Sequence, residues 1–158
     1  MLQKVGVLAF GLFVACFSPL FSQPAEQLDS FFSQNHVSRE AAAYAVSRAA
    51  GLIGARDDLP DAVAALSGLG LDPSRFEPWD HAIRMDEYAY FLMLAYDMPG
   101  GFMFSLCPGP RYAIRQLRHE FVLADTEDPS QLLPPHRAVR ILERVDRLSA
   151  NRLSAEEE

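Results

Sequence analysis

Lysine is almost missing from this chain. Lys4 is the only one in 158 residues, and every basic residue after it is arginine. The arginine fork suits carboxylates and phosphates, but a general arginine bias accounts for the composition without any ligand. Cysteine is also scarce, with Cys16 and Cys107 alone. Cys16 lies in the N-terminal apolar stretch, so whichever way that stretch is processed Cys107 has no partner. An intramolecular disulfide is excluded, and the fold must rest on its core. No apolar run is long enough to span a bilayer, which takes about 20 residues: Val5 to Phe17 falls short, and Tyr88 to Tyr96 is shorter still. Positive charge is not in excess either. The formal net charge is −7, which argues against general affinity for nucleic acid or an anionic membrane surface.

Catalytic constellations are equally scarce. Asp57 and Asp58, and Asp86 and Glu87, are adjacent pairs, and neighbours on a helix point apart rather than forming an acid–base couple. No serine stands in a nucleophile-elbow context, and Cys107 has no evident base. No glycine-rich phosphate loop follows a strand. The chain reads as a non-enzyme without a cofactor.

What is present begins with an export signal. Met1 to Lys4 is a short positive region, Val5 to Phe17 an apolar core, and Ser18 to Ser22 a plausible cleavage region. Residues 1–22 are therefore expected to be a signal peptide, placing the protein in the periplasm or at the cell surface. Phe13-Val14-Ala15-Cys16 resembles a relaxed lipobox, so lipidation at Cys16 is the alternative processing. The remaining residues have ordinary globular composition, with 49% hydrophobic and 22% charged residues over the whole chain, enough for one domain with a single core.

That domain reads as all-α. Ala25, Leu28 and Phe32 form one face of a first helix from Pro24. Ser38 caps a second, with Glu40 in its first turn, running to about Leu52. Asp57-Asp58-Leu59-Pro60 opens a third that ends near Gly70. Asp72 to Trp79 is a connector. A long helix is expected from His81 to Met98, another from Pro110 to Leu123, and a last one from Pro134 or Pro135 to about Ala150. Asp125 to Ser130 reads as a polar loop, and 156–158 as a frayed acidic tail.

The segments repeat. Phe31 precedes Arg39 by the same interval as Phe76 precedes Arg84, and His36 and His81 each stand three residues before the arginine. Leu132 to Val139 is a weaker third copy, with His136 and Arg137. The helices before them also correspond: Val63 and Leu66 lead to Gly70-Leu71, and Ile114 and Leu117 lead to Phe121-Val122. A helix, a tight connector and a second helix must bury their apolar faces on neighbouring copies.

This pattern is similar to the S-layer homology domain. The second copy fits best, through Val63, Leu66, Gly70, Leu71, then Phe76-Glu77-Pro78, then Ile83-Arg84-Met85-Asp86. The first supplies Val37-Ser38-Arg39-Glu40 and the third His136-Arg137-Ala138. The resemblance covers nearly all of residues 23–155, with repeats at about 23–54, 57–100 and 108–150. It implies three helical hairpins in a pseudo-threefold arrangement. It also implies binding of cell-wall polysaccharide or peptidoglycan in grooves between repeats, with Arg39, Arg84 and Arg137 contributing. A bidentate guanidinium matches the carboxylate of an acidic sugar. The departures are Ile83 and His136 at the place of the family's capping threonine and Val139 at that of its acid.

Three further features have a functional and a structural reading. His36, His81 and His136 hold similar places, but the other ligands of a metal site are missing, so no metal is expected. The arginine stripes Arg137-Arg140-Arg144-Arg147 and Arg111-Arg115-Arg118 read either as a docking face or binder of anionic groups or, in preference, as solvated helix faces, the first paired with the interleaved Glu143 and Asp146. Phe102 to Cys107, between glycine and proline turns, reads either as core or as a contact patch. With Trp79, Phe102 and Phe104 it is the candidate surface of the alternative function, a lipid-anchored adaptor that binds another envelope protein.

Overall fold

The computed structural model describes residues 35–156. The expected signal peptide, Cys16, the expected helix over 24–32 and the last two residues of the expected acidic tail lie outside the described residues. The described chain is mostly helical, with no strand among the described residues. The helices are α1 (Arg39–Ala49), α2 (Leu59–Gly68), α3 (Met85–Ala95), α4 (Phe102–Leu106), α5 (Pro110–His119) and α6 (Pro135–Glu156), with a 3-10 turn at Pro73–Phe76.

Local chemistry sets these boundaries. The Ser38 hydroxyl accepts from the Ala41 N–H at 3.2 Å and starts α1. At α2, Asp58 and Asp61 exchange hydrogen bonds with each other's backbone N–H groups, two otherwise orphaned donors satisfied together. The four helices α1, α2, α3 and α5 stop alike. Gly51, Gly70, Asp97 and Phe121 follow them with φ of 72°, 101°, 44° and 57°. The next N–H in each case turns back into the helix: Leu52 to the Ser47 carbonyl, Leu71 to Leu66, Met98 to Met93 and Val122 to Leu117. This left-handed exit satisfies terminal carbonyls and tucks the following side chain inward. Leu71, Met98 and Val122 are accordingly buried.

Helices α1, α3 and α5 end three or four residues before the expected Leu52, Met98 and Leu123, and three other features differ from the sequence reading. The long helix does not begin at His81, because His81 to Arg84 is extended and forms isolated bridges, Ser38 with Ala82 and Arg84 with Leu132. Phe102 to Leu106, placed between turns and given no helix in the sequence reading, is a short helix. The last helix runs on to Glu156, past Ala150 and into the tail.

The extended residues before α1, α3 and α6 meet at one point. Val37 N–H donates to Leu133 O at 2.9 Å, Leu133 N–H to Ile83 O at 3.0 Å, and Ile83 N–H to Val37 O at 2.8 Å. The three bonds close a ring, and all three side chains are fully buried. Each residue stands two before the first residue of its helix. Arg39 N–H also reaches His81 O, and Met85 N–H reaches Gln131 O, both at 2.9 Å. Pro135 has no N–H to make the corresponding bond, and suits a first helical position where none is needed.

From that ring α1, α3 and α6 diverge, with α2 packed on α1 and α3, and α5 packed on α3. Ala42, Ala43 and Ala62 let α1 and α2 approach closely, and the buried Ser47 hydroxyl donates to Ala62 O. Helix α3 is buried nearly all round, from Met85 to Met93 apart from Asp86. That explains why it reads as an apolar run rather than a stripe. Its Tyr88 hydroxyl donates to Ala138 O at 3.0 Å and ties α3 to α6. An aromatic cluster of Phe76, Trp79, Tyr90 and Phe91 fills the space beneath the connector.

Candidate functional site

The starts of α1 and α3 bring the first two candidate arginines near one carboxylate. Arg39 projects from the first turn of α1 across to α3, where its Nη2 meets Glu87 Oε1 at 2.8 Å and its Nε meets Oε2 at 3.2 Å. Its Nη1 lies 3.3 Å from both Phe76 O and Pro78 O. The guanidinium therefore clamps the Phe76-Glu77-Pro78 connector onto α3. Its side chain is only 15% exposed, and that of Glu87 6%. Glu87 Oε2 also accepts the Arg84 N–H at 3.0 Å, serving as the reciprocal partner that begins α3.

Arg84 stands at the cap of α3, not at its first helical position. Its structural counterpart in the first copy is thus Ser38, one residue away from the Arg39 that the sequence pattern pairs with it. Its side chain forks onto Asp86, with Nε–Oδ1 and Nη2–Oδ2 both 3.1 Å, and is 45% exposed. Burial pushes the Asp86 carboxyl above its ordinary value, while Arg84 pulls the other way. Arg137 is the third residue of α6. It pairs with Glu127 at 2.6 Å and is 33% exposed. Arg118 donates to the backbone carbonyl of Glu127 as well. Arg118 Nε and Glu127 Oε2 are buried without a hydrogen-bond partner among the described residues.

The three arginines therefore share a neighbourhood of helix starts but not a role. Arg39 is committed to internal partners. Arg84 is the most open, although its Asp86 partner is largely buried. Arg137 is intermediate. Glu87, the residue that joins α1, the connector and α3, was not singled out from sequence. Its signal was available, since an acid three residues after a cap is the capping-box spacing, hidden because an arginine occupies the cap. Glu127 carried no sequence signal.

The other candidates separate. Trp79 is half-buried, its ring 6.1 Å from those of Phe76 and Phe91, so it belongs largely to the core edge. Phe104 turns inward onto Tyr90 at 6.2 Å. A Cβ on Gly100 would collide with the Phe104 ring, so a glycine there lets the ring fold back. Phe102 points outward and is 80% exposed. His36, His81 and His136 are all exposed, and no group of three His, Cys, Asp or Glu among the described residues is placed to hold a metal ion. Of the arginine stripes, Arg144 donates to Val122 O and Arg118 to Glu127 O, while Arg111, Arg115, Arg140 and Arg147 are exposed. No helix among the described residues is long and apolar enough to cross a membrane.

No protein-family model matches this chain, and no curated protein or solved structure matches it.

Proposed function

We propose that this chain is an exported, non-catalytic module that binds a cell-envelope glycan, built as three degenerate helical repeats of S-layer homology type. The observation that carries this reading is the closed ring of backbone hydrogen bonds among Val37, Ile83 and Leu133. Three segments with similar sequence patterns enter three helices through that ring.

The binding chemistry falls on Arg84 first. An acidic sugar carboxylate can reach the open side of the Arg84 guanidinium, which is 45% exposed, and share or take its fork from Asp86. Arg137 is the second contributor. Arg39 holds the connector in place, so its contribution is to position the groove rather than to touch the glycan. The test is co-sedimentation of the exported protein with purified cell-wall polysaccharide and with peptidoglycan sacculi. Wild type is expected in the pellet and Arg84→Ala in the supernatant, with circular dichroism unchanged. Wild type that stays in the supernatant with both materials overturns the glycan reading.

A further inference from the structure

The net charge of −7 hides a local asymmetry. From Met98 to His119 the sequence holds no aspartate or glutamate, but it holds Arg111, Arg115, Arg118 and His119. The same segment carries the most exposed apolar helix face among the described residues. On α4, Phe102, Met103 and Leu106 are 80%, 53% and 66% exposed. They share one face at helical spacing, while Phe104 anchors the opposite face against Tyr90. The helix is tethered rather than loose: Gly101 N–H donates to Gln116 Oε1 at 3.0 Å, and α4 packs on α5. Helix α5 in turn exposes Arg111, Arg115 and His119.

An outward phenylalanine, methionine and leucine beside exposed arginines, with no acid in the segment, is the chemistry of an interfacial membrane contact. The apolar side chains enter the acyl boundary and the guanidiniums meet lipid phosphates. The acids on neighbouring elements do not cancel it. Asp86 and Glu87 on α3 are engaged by Arg84 and Arg39, and Glu120, just past α5, is held by Arg152 at 2.8 Å. Two exposed acids lie near the segment: Asp97, after α3, and Asp72, whose charge reaches Tyr90 beneath Phe104 together with that of Arg75. We propose that α4 and the exposed face of α5 form a peripheral docking surface for an anionic phospholipid bilayer. Anionic lipid is required because three apolar side chains alone give marginal, reversible attachment, and adjacent basic residues supply the second attraction. The overall negative charge would otherwise oppose approach to such a surface, so binding is directional, with this face inward.

The experiment uses protein produced from the whole chain with Cys16→Ser, so that no acyl chain contributes, and with an environment-sensitive fluorophore on the exposed Cys107 beside α4. Vesicles of phosphatidylcholine alone and of phosphatidylcholine mixed with phosphatidylglycerol are titrated in, and flotation is measured in parallel. Mixed vesicles are expected to raise and blue-shift the Cys107 signal and to float the protein, with high salt reversing both. Phe102→Ser with Leu106→Ser, and separately Arg111→Glu with Arg115→Glu, should each reduce partitioning by about tenfold or more. All four positions are exposed, so both variants should retain wild-type circular dichroism. Flotation without a Cys107 response, or flotation insensitive to these substitutions, places the contact elsewhere and overturns the proposal. So does a Cys107 response that needs no lipid and follows protein concentration, which would assign the face to a second copy of the chain.

Discussion

Removing the Glu87 carboxylate should cost this protein more stability than its size suggests. Glu87→Ala deletes the partner of a guanidinium whose side chain is 15% exposed and strips the hydrogen bond from the Arg84 N–H. Breaking a buried ion pair by removing one member costs about 3–5 kcal/mol. Arg39 retains the Phe76 and Pro78 carbonyls and some solvent, which brings its share to about 2 kcal/mol, and loss of the cap adds about 1 kcal/mol. The sum of about 3 kcal/mol corresponds to a fall in Tm of about 10 °C for a domain of this size. Trp79, the only tryptophan, packs against the clamped connector through Phe76, so its fluorescence reports the transition in urea. The decisive comparison is the double variant Arg39→Met with Glu87→Leu. If a buried pair is the source of the cost, the double variant is more stable than Glu87→Ala, because no charge is left unmatched. A double variant that loses the sum of the two single losses, or a Glu87→Ala loss below about 0.5 kcal/mol, refutes the reasoning.

Phe121 occupies a left-handed position with its ring 91% exposed. Phe121→Gly should therefore stabilise by about 0.5–1 kcal/mol, the conformational gain outweighing lost chain stiffness, whereas Gly70→Ala, with open space around the added Cβ, should destabilise by about 1 kcal/mol; thermal melts check both. The Asp86 carboxyl should titrate above its ordinary 3.8 because burial disfavours its charge, and the Asp128 carboxyl below it because Ser130 donates to it twice. A raised carboxyl binds its proton more tightly folded than unfolded, so the Asp86 contribution is present below pH 3.8 and lost as pH rises through its folded midpoint, while that of Asp128 is lost as pH falls through its own. Carbon-detected carboxyl titration reads the two midpoints. Burial and the nearby Asp146 push the Tyr96 phenol up to about 12, and burial raises that of Tyr88 further. Both favour the folded state up to the ordinary tyrosine value and release that stability as pH climbs beyond it, so ultraviolet titration should show phenolate appearing late and together with alkaline unfolding.

How much was legible in the sequence depends on whether the signal was local. The cap at Ser38, the start at Asp58-Leu59-Pro60 and the stop at Gly70 each depend on groups within one turn, and those boundaries read correctly to within a few residues. The His81 start failed because residues 81–84 are held extended by partners at Val37, Ser38 and Leu132, contacts roughly 45 to 50 positions away that no local propensity encodes. Phe102 to Leu106 was read as core or contact patch, and it is split: Phe104 takes one fate and Phe102 the other. Alternation within a five-residue helix is too short to reveal its period. Arg39 looked like a ligand-binding residue because its type and position allowed it. Only the cross-chain geometry reveals that Glu87 and two connector carbonyls already fill its donors.

That last difference alters what glycan binding should look like. Three equivalent arginines would give three equivalent grooves and a stoichiometry of three. The ring aligns Val37 with Ile83 and Leu133, which places Arg39 at a first helical position, Arg84 at a cap and Arg137 in the third place of its helix. The sequence has spent its arginines on three different tasks: one buried clamp, one exposed fork and one partner for Glu127. Displacing Glu87 from Arg39 would leave a carboxylate unmatched in a site almost without solvent, at a cost of about 3–5 kcal/mol, which no single sugar carboxylate recovers. Displacing Asp86 from Arg84 leaves a mostly buried carboxylate that still accepts the Glu87 N–H, and the Arg84 guanidinium is three times as exposed as that of Arg39, so a ligand reaches Arg84 more readily than Arg39. Under the proposed function, equilibrium titration with a soluble acidic envelope oligosaccharide should therefore give one site per chain, abolished by Arg84→Ala, weakened by Arg137→Ala, and lost with Arg39→Ala only in proportion to unfolding. Three sites of equal strength, or a folded Arg39→Ala protein that no longer binds while Arg84→Ala still does, would mean that Arg39 exchanges its partners after all and that the clamp is not what holds the connector.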